Sequence, residues 1–524
     1  MKQNDMIKLL KKSIFILFFI PYLMYSQETI EWVGTTDSDW ATATNWDSGT
    51  VPTATDNVII PQFLPFGASY PVISSTTAAY AKILVVNDPI VGIFPAPIPL
   101  TINSGGSLIA YGGVGNITYE ITMADNTTRH RSSPVVGEEY GGATSWIADN
   151  NIGTTAYNGG DTRISTYDND DPLFWKPYLS TDPIATFTSG VGYAIGLNAG
   201  GTISFTGEYP DDDFTVAISK GSASAWNLVG NPYPSYLDIE AFITENSSKL
   251  ADTFQAIQVN NGGDYVTLTT GHLHPGQAFL VSSKEDSGTI SFTQSMQRPL
   301  TQFFRTDATH PSIKVTLSDE MSTRDTQINY IEDKTKSLDP RFDLAMFDET
   351  SSNLSIFTHL IEDNKGIAFG KQALPNSDLE SMVIPVGVKA DAGKEITFSV
   401  EALNLPTDLK VFLEDKVNNT FTRLDKANTN YTVTLSEGLD GIGRFYLHTS
   451  KNALTDDDGT LSTVHIYKSD ISTLRIVGLP QGNKTVKLFN VLGKQVLNTS
   501  FDDNAKDISL PKLGTGVYIV DVQT

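Results

Sequence analysis

Along most of the chain, short apolar runs alternate with polar residues at a period of two. Residues 312–317 (Ser-Ile-Lys-Val-Thr-Leu) and 431–435 (Tyr-Thr-Val-Thr-Leu) are clear examples. Such alternation places the apolar side chains on one face of a β-strand, and Gly, Asn, Asp and Pro bound the runs as turn residues do. After residue 27, helical periodicity is found only at 239–250. The pattern therefore predicts an all-β protein with several domains.

The N-terminal residues have a different pattern. Four lysines precede an apolar run at residues 14–23, and the small residue Ser26 stands just before Gln27. A basic stretch, an apolar run of about ten residues and a small residue are typical of a secretory signal peptide, which is too short to span a membrane. We predict that residues 1–26 are removed by cleavage between Ser26 and Gln27. Because no second long apolar run follows, we expect no transmembrane segment in the mature chain.

Residues 27–116 combine a tryptophan-rich start with short strands and tight turns, such as the strand-like run at 83–86. Trp32, Trp40 and Trp46 lie close together in the sequence. We predict a β-solenoid-like segment in which these three indoles cap the apolar end of the first coil, because a solenoid needs an atypical terminal cap. The alternative is that the indole rings form an exposed platform for sugar rings.

Residues 117–300 contain a short internal sequence repeat, which we call the echo. The sequence Gly-Thr-Ile-Ser-Phe-Thr occurs at residues 201–206 and again at 288–293, each time after an aromatic strand. We predict a β-rich domain with a duplicated hairpin, in which the Ile and Phe of each copy share one face. A chance repeat of six residues is the alternative.

A proline-rich turn lies between the two copies, in residues 226–235 (WNLVGNPYPS). Proline fixes its own φ and restricts the residue before it, so a rigid turn is predicted at Asn231, whose side chain can bond its own backbone. Trp226 and Tyr233 either frame a pocket or anchor the corner of a sandwich.

The second half of the chain is predicted to contain two sandwich-like regions. Residues 301–450 carry several alternating strands and predict a β-sandwich. Residues 451–462 form a polar linker with three aspartates at 456–458, which we expect to hold the last region apart from the domains before it. Residues 463–524 have short apolar strands between Gly, Asn and Pro turns, which predict a small sandwich of immunoglobulin size.

Charge and cysteine content narrow the range of partners. The formal net charge is −24, and it becomes more negative without residues 1–26, which carry four lysines and one aspartate. Such a chain repels nucleic acid, so we expect no nucleic-acid partner. The chain has no cysteine, which excludes disulfides, thiolate metal sites and a cysteine nucleophile.

Few residues in the sequence suggest a catalytic or metal-binding role. No zinc-protease, serine-hydrolase or phosphate-loop motif is found, so we predict no catalytic, cofactor-binding or metal residues. Calcium is the one cofactor left open, at two aspartate groups that lack the spacing of a known calcium loop: Asp168, Asp170 and Asp171, and Asp211, Asp212 and Asp213. His272 and His274 would share a strand face and could bind a metal, but Pro275 and Gly276 favour a solvated loop.

Several segments are similar to proteins of one secretion route. Residues 487–496 (KLFNVLGKQV) and 510–522 (LPKLGTGVYIVDV) closely resemble the C-terminal sorting domain of Bacteroidetes proteins exported by the type IX secretion system. Residues 226–235, with Tyr265, resemble a signature of type IX cargo of unassigned function. The resemblance implies the type IX machinery as a partner and a location outside the cell, secreted or on the outer-membrane surface after periplasmic transit. The sorting domain normally continues into one more strand, so we expect the sequence to be a fragment.

These observations predict a modular surface protein that binds polysaccharide, matrix or other cells. A secreted carbohydrate-active or other hydrolase with an unrecognised site is the alternative, and a structural surface-layer component is a third. The sequence shows no charged cluster within an apolar strand, and this favours binding over catalysis.

Overall fold

The computed structural model describes residues 29–87, 98–141, 146–153, 162–260, 265–299, 310–347, 353–380, 382–451, 464–470, 472–479, 482–514 and 516–523. Over this part the protein is all-β, as predicted, with two short α-helices, α1 (Trp146–Asp149) and α2 (Ile239–Asn246). Short 3-10 helices occur at Ala43–Asn45, Gln294–Met296 and Asn376–Asp378. None of the described helices is long and apolar enough to cross a membrane. The predicted cleavage site at Ser26 and Gln27 and the linker aspartates lie outside the described residues.

The first region is built from parallel strands. They are β1 (Thr29–Glu31), β2 (Asn57–Ile60), β3 (Val72–Ile73), β4 (Ala78–Ala81), β5 (Ile83–Val86), β6 (Thr101–Ile102), β7 (Ser107–Ala110), β8 (Gly113–Val114) and β9 (Asn116–Met123). β1, β2, β5 and β8 form one parallel sheet, β3, β6 and β9 lie parallel in a second, and β4 pairs in parallel with β7. From β2 onward, consecutive strands therefore enter different sheets, and each sheet gains a strand as the chain advances.

Strand register stacks the apolar side chains of this region on one another. Val58 of β2 is opposite Leu84 of β5, and Ile60 is opposite Val86. These four side chains are at most 3% exposed. Their burial follows from the period of two in each strand, which turns every second residue toward the core.

Residues 116–292 contain the same nine elements twice. The first copy consists of β9, β10 (Arg129–Arg131), β11 (Glu139–Tyr140), α1, β12 (Ile164–Tyr167), β13 (Trp175–Pro177), β14 (Ala185–Thr186), β15 (Tyr193–Ile195) and β16 (Gly201–Glu208). The second copy consists of β17 (Phe214–Ile218), β18 (Trp226–Gly230), β19 (Tyr236–Asp238), α2, β20 (Ile257–Asn260), β21 (Tyr265–Leu268), β22 (His272–Leu273), β23 (Ala278–Ser282) and β24 (Gly288–Phe292). A further strand, β25 (Gln297–Arg298), pairs with β19.

Strand pairing is the same in the two copies. The first copy has a four-stranded sheet of order β10-β15-β12-β13, and the second has one of order β18-β23-β20-β21. β11 pairs with β14 as β19 pairs with β22, and β9 pairs with β16 as β17 pairs with β24. The echo noticed in the sequence therefore belongs to a duplicated structural unit.

The predicted hairpins of this unit are wrong in their pairing. Both copies of the echo are strands, and Ile203, Phe205, Ile290 and Phe292 are fully buried, as the alternation indicates. However, β16 pairs with β9 and not with β15, and β24 pairs with β17 and not with β23. A glycine-containing loop favours a local hairpin, but here each partner strand comes from the far end of the same unit.

Equivalent side chains make equivalent hydrogen bonds in the two copies. Asn150, at the end of α1, accepts the Ser204 backbone N–H through Oδ1 at 2.6 Å. Asn246, at the end of α2, accepts the Ser291 backbone N–H in the same way at 2.8 Å. Each bond fixes a helix to the strand that carries the echo, so the duplication extends to individual side chains.

The next region, which we call the barrel, is one curled sheet. Its strands are β26 (Ser312–Ser318), β27 (Thr323–Ile331), β28 (Leu344–Ala345), β29 (Ser355–Thr358), β30 (Phe369–Pro375), β31 (Met382–Ala390), β32 (Glu395–Leu403), β33 (Lys410–Asp415), β34 (Thr420–Arg423), β35 (Tyr431–Thr434) and β36 (Leu439–Ser450). In the described residues their order is β34-β33-β36-β31-β29-β30-β27-β26-β32-β35, with β28 beside β30.

The predicted β-sandwich of residues 301–450 is therefore wrong. β32 and β36 lie far apart in the strand order, yet the rings of Phe398 and Phe445 are 4.7 Å apart across the interior. The sheet has curled around one core until it is nearly closed. Alternating strands are common to sandwiches and barrels, so their pattern could not separate the two.

The C-terminal region consists of β37 (His465–Asp470), β38 (Thr473–Val477), β39 (Lys484–Asn490), β40 (Gln495–Phe501), β41 (Lys506–Ser509) and β42 (Tyr518–Gln523). In the described part, β37, β38 and β41 form one antiparallel sheet, and β40, β39 and β42 form another. Leu474 and Ile476 from the first sheet share a core with Val486 from the second.

The C-terminal region is docked against the barrel. Glu414 of β33 has no exposed side-chain surface, accepts the Arg475 Nε–H at 2.8 Å and lies 2.9 Å from His448 Nε2. The Tyr467 hydroxyl donates to the same carboxylate. Apolar side chains from both regions surround this cluster: Phe412, Phe421 and Val477. The expectation that an acidic linker keeps the last region apart is therefore wrong, because buried contacts across the junction hold it in place.

Candidate functional site

The three N-terminal tryptophans are buried. Trp32, Trp40 and Trp46 are 1%, 0% and 2% exposed, and Trp46 contacts the other two rings edge to face at 4.9 and 4.7 Å. Trp46 Nε1 donates to the Trp40 carbonyl at 2.9 Å, and Trp32 Nε1 donates to the Ser69 carbonyl at 2.8 Å. No ring face of the three is open to a sugar. Their packing supports the capping role over the platform.

The aspartates considered for calcium shape loops. Asp168, Asp170 and Asp171 each accept one backbone N–H through Oδ1, at 3.0, 2.8 and 2.8 Å. In the second group, Asp213 accepts the Gln294 N–H at 2.7 Å. Among the described residues, no three His, Asp or Glu side chains are grouped so as to hold a metal ion. Whether calcium binds at these loops stays untested.

The two candidate histidines have different neighbours. His272 is in register with Asp238 in the β22–β19 pair, whereas the His274 ring lies 4.9 Å from the ring of Tyr236. Each side chain therefore has its own local contacts, and among the described residues neither belongs to a group of three metal-ligating side chains.

The proline-rich turn is a structural corner. Asn231 donates through Nδ2 to the Ser235 carbonyl at 2.7 Å and accepts the Tyr233 N–H at 3.1 Å. Tyr233 has no exposed surface, and its hydroxyl donates to the Phe292 carbonyl at 2.9 Å. This tyrosine therefore anchors the corner, as one of the two alternatives predicted. Trp226 lies elsewhere, on β18, on the outer face of the sheet of order β18-β23-β20-β21 and away from the core that contains Tyr233.

That outer face carries an unbroken line of eight aromatic rings, which we call the aromatic strip. Each ring centroid lies 4.7–5.8 Å from the next. In order, the strip consists of Phe174, Tyr167, Trp175, His130, Tyr265, Phe347, Trp226 and Phe254. It begins on the first copy of the duplicated unit, crosses to the second copy and ends against the barrel.

Strand register explains how these rings meet. Tyr167 and Trp175 are opposite each other on β12 and β13. His130 is separated from these strands by Ala194 of β15, which is also in register with Ser165 of β12. The two small side chains leave room on this face, and the Trp175 ring approaches the His130 ring to 5.2 Å.

The two ends of the strip have different surroundings. Phe254 is 3% exposed, and Phe347 packs on Trp226, so this end is part of the contact between the second copy and the barrel. Trp226 and Phe347 are nevertheless partly exposed, as are the rings toward the other end of the strip: Tyr167, Phe174, Trp175 and Tyr265. Partly exposed aromatic rings on a rigid sheet are typical of binding surfaces, because they add contact area at low entropic cost.

Two buried polar side chains, His130 of the strip and Gln258 of β20, each have an unused hydrogen-bonding atom. His130 is 5% exposed and Gln258 is 2% exposed. Within the described residues, Nδ1 of the first and Oε1 of the second have no hydrogen-bond partner. Burial, with a smaller contribution from the charge of Arg131, lowers the pKa of His130 to about 4, so the imidazole is neutral at neutral pH. Proteins leave few such buried atoms unpaired, so the pair marks an unusual polar spot beside the aromatic rings.

A second surface feature is an acidic cleft of about 470 Å³ on the first copy, lined by Glu138, Glu139, Asp149 and Trp146. Glu138 accepts the Thr206 backbone N–H. Burial raises the pKa of Glu138 to about 7. A carboxyl group that titrates near neutral pH meets the requirement for a general acid.

Glu138→Gln is expected to change how stability depends on pH. The folded protein holds a proton on Glu138 up to about pH 7, whereas the unfolded chain releases it near 4.5. Stability from this group is therefore lost as pH rises through that window. We expect the variant to melt at the wild-type temperature near pH 4 and above it at about pH 8. Thermal unfolding of both proteins at the two pH values measures this, and equal melting at both would contradict it.

Comparison with known proteins assigns the family. Residues 31–258 and 252–448 match the model described as Domain of unknown function (DUF8693). Together the two segments span well over half of the chain. The chain belongs to the DUF8693 family. Residues 468–524 match the Secretion system C-terminal sorting domain, which confirms the resemblance seen in the sequence. No curated protein and no solved structure matches the chain.

In this DUF8693 protein, the sorting domain determines the location. Its presence makes the type IX secretion machinery a partner and places the protein outside the cell, secreted or on the outer-membrane surface. The aromatic strip lies within the segments that match DUF8693 and before the sorting domain begins. The two features are therefore carried by different parts of the chain.

Sequence reasoning found only part of the strip. Trp226 and Tyr265 were singled out, but Trp175, Phe174 and His130 were not. The available signal was the Phe-Trp pair that follows the aspartate-rich loop, which was considered only for calcium. His130 carries no such signal, because its role depends on strands that are distant in the sequence.

Proposed function

We propose that this exported protein is a glycan-binding protein that holds an extended polysaccharide along the open end of the aromatic strip. The observation that carries the proposal is continuity: Phe174, Tyr167, Trp175 and Tyr265 are partly exposed and joined through His130 in one line. Sugar rings pack their C–H faces on aromatic rings. A line of rings therefore suits a chain of sugars better than a single small molecule.

The rigidity of the support favours binding at this place. The rings stand on or beside paired strands of two sheets, and those sheets are joined by bridges such as Arg131 with Gln277 and Val191 with Val229. A surface held in its binding geometry loses little conformational entropy when a ligand arrives. The unpartnered Nδ1 of His130 adds one buried polar atom beside the rings.

Substitutions in the open end should weaken binding. On a glycan array probed with the full chain, Trp175→Ala and Tyr265→Ala are each expected to lower affinity for bound polysaccharides about tenfold or more, because an aromatic hot spot contributes roughly 2 kcal/mol. Phe66→Ala is the matched control, since Phe66 is fully exposed and lies outside the strip. Its binding should equal that of the wild type. Arrays run with and without calcium also test whether calcium contributes to binding.

The same array distinguishes the other roles. If the wild type binds glycans and the strip variants bind equally well, the ligand lies elsewhere on the protein. If the folded wild type binds no glycan at all, a structural role in a surface layer is favoured and the proposal fails.

The finer description of the fold is also an inference. Parallel strands that enter three sheets in turn support a short β-solenoid over residues 27–116, with the tryptophans as its cap. Two small antiparallel sheets with a shared core support an immunoglobulin-like sandwich for residues 463–524. Removal of residues 1–26 as a signal peptide fits the export route.

A second candidate function is polysaccharide hydrolysis at the acidic cleft. It rests on the neutral-range pKa of Glu138, beside the carboxylates of Glu139 and Asp149. The test compares the wild type with Glu138→Gln and measures the reducing ends that each releases from polysaccharides bound on the array. Hydrolysis by the wild type that is lost in the variant would support catalysis, and binding without hydrolysis would reject it.

A further inference from the structure

A pocket of about 180 Å³ lies between α2 and the outer face of the barrel. The second copy of the duplicated unit contributes one wall, and strands β27 and β30 contribute the opposite one. The polar side chains that line it include two cations, Lys371 and Arg341, together with His310, Asn329, Gln255 and Thr270 at the turn before β22. Two cations therefore line one pocket in a chain of net charge −24.

Lys371 is the cation without a counter-charge. It stands on β30, opposite Gln327 of β27, and it is only partly exposed. Burial lowers its pKa, and among the described residues it forms no ion pair. Charged groups taken out of water are normally paired, because desolvation is costly. The positive charge in this pocket therefore lacks its anionic partner.

Arg341 shows a second unusual feature at the same place. Its guanidinium lies 3.7 Å from the carboxylate of Glu240 on α2, which is the acidic group among the described residues that line the pocket. Its backbone has a φ of +74°, a left-handed conformation that non-glycine residues adopt with strain. Strained residues of this kind concentrate at ligand sites.

We propose that this pocket binds an anionic monosaccharide unit, a uronic acid or a sulfated sugar, with its acidic group beside Lys371. A cavity of about 180 Å³ suits a single sugar ring. Asn329, Gln255 and Thr270 supply hydrogen-bonding groups for ring hydroxyls. The site is separate from the aromatic strip and does not depend on the function proposed there.

Thermal unfolding of the full chain tests the site with three probes: glucuronate, glucose 6-sulfate and glucose. The wild-type melting temperature should rise with the concentration of at least one anionic sugar, because a ligand that binds only the folded state stabilises it. Glucose, which lacks the charge, should have no effect, and sodium chloride at equal ionic strength controls for salt. A rise with glucose of the same size, or no rise with either anion, would overturn the proposal.

Variants locate the effect. Lys371→Met keeps the apolar stem and should abolish the response, whereas Lys371→Arg should retain it. Lys389→Met removes an exposed lysine from β31 of the same barrel and should respond like the wild type. Without ligand, Lys371→Met should melt at or above the wild-type temperature, so loss of response cannot be ascribed to unfolding. A response to the anionic sugar that is retained in Lys371→Met would contradict the site. Trp175→Ala, which changes only the aromatic strip, should respond to the anionic sugar like the wild type.

Discussion

Replacing Arg475 by methionine is expected to lower the free energy of unfolding by about 3–5 kcal/mol, the cost of removing one partner from a buried ion pair. The guanidinium is the permanent cation beside Glu414, and both side chains are at most 6% exposed. The variant would leave that carboxylate buried, with Tyr467 and His448 as its remaining partners. Chemical unfolding of the full chain measures the loss.

Two further variants make this result specific. Lys506→Met removes a cation from β41 in the same region, where it forms only an exposed pair with Asp503, and should change stability by less than about 1 kcal/mol. Combining Arg475→Met with Glu414→Leu removes both charges and should recover part of the loss. A single variant as stable as the wild type would show that the junction is not held by this pair.

The Arg475 effect should also depend on pH. Burial alone would raise the pKa of Glu414, but the hydrogen bond and charge of His448, together with Tyr467 and Arg475, outweigh it and lower the pKa. A carboxyl with a lowered pKa stabilises the folded state above its unfolded pKa and loses that contribution as pH falls. The difference between wild type and Arg475→Met should therefore shrink below about pH 4.

Trp40→Ala should cost a similar amount, about 3–5 kcal/mol, because truncating a buried tryptophan removes its contacts and leaves a cavity. Trp40 has no exposed surface and packs edge to face on Trp46 at 4.7 Å. The midpoint of thermal unfolding should fall in consequence.

The control for Trp40→Ala is Phe66→Ala, whose ring is fully exposed and whose loss should shift stability by less than about 0.5 kcal/mol. If Trp40→Ala left the melting temperature unchanged but abolished glycan binding, the tryptophans would be a sugar platform and not a cap.

How far the sequence predicts this fold depends on the distance over which each signal acts. Alternation acts within a strand, and it correctly assigned the buried faces of Ile203 and Phe205 and of Ile290 and Phe292. Pairing depends on which strands share a core. Local turn residues therefore indicated hairpins where the true partners are β9 and β17.

The contacts at the junction and in the aromatic strip could not be predicted from the sequence for the same reason. Glu414 and Arg475 look like ordinary charged residues until two regions meet and bury them. The strip gathers rings from His130 to Phe347, and no spacing between those positions encodes their proximity. The short echo was a more reliable signal, because both copies kept the same strand and the same serine bonded to a helix-end asparagine.

Calorimetric titration of the full chain with oligosaccharides of increasing length, cut from a polysaccharide bound on the array, tests glycan binding at the strip most directly. An extended row of rings predicts that affinity rises with each added sugar until the open end from Phe174 to Tyr265 is covered, and then stays constant. In Trp175→Ala, which interrupts the row, this increase should stop at shorter lengths. Affinity that is already maximal with a single sugar, or the same length dependence in the wild type and Trp175→Ala, would contradict binding along the strip.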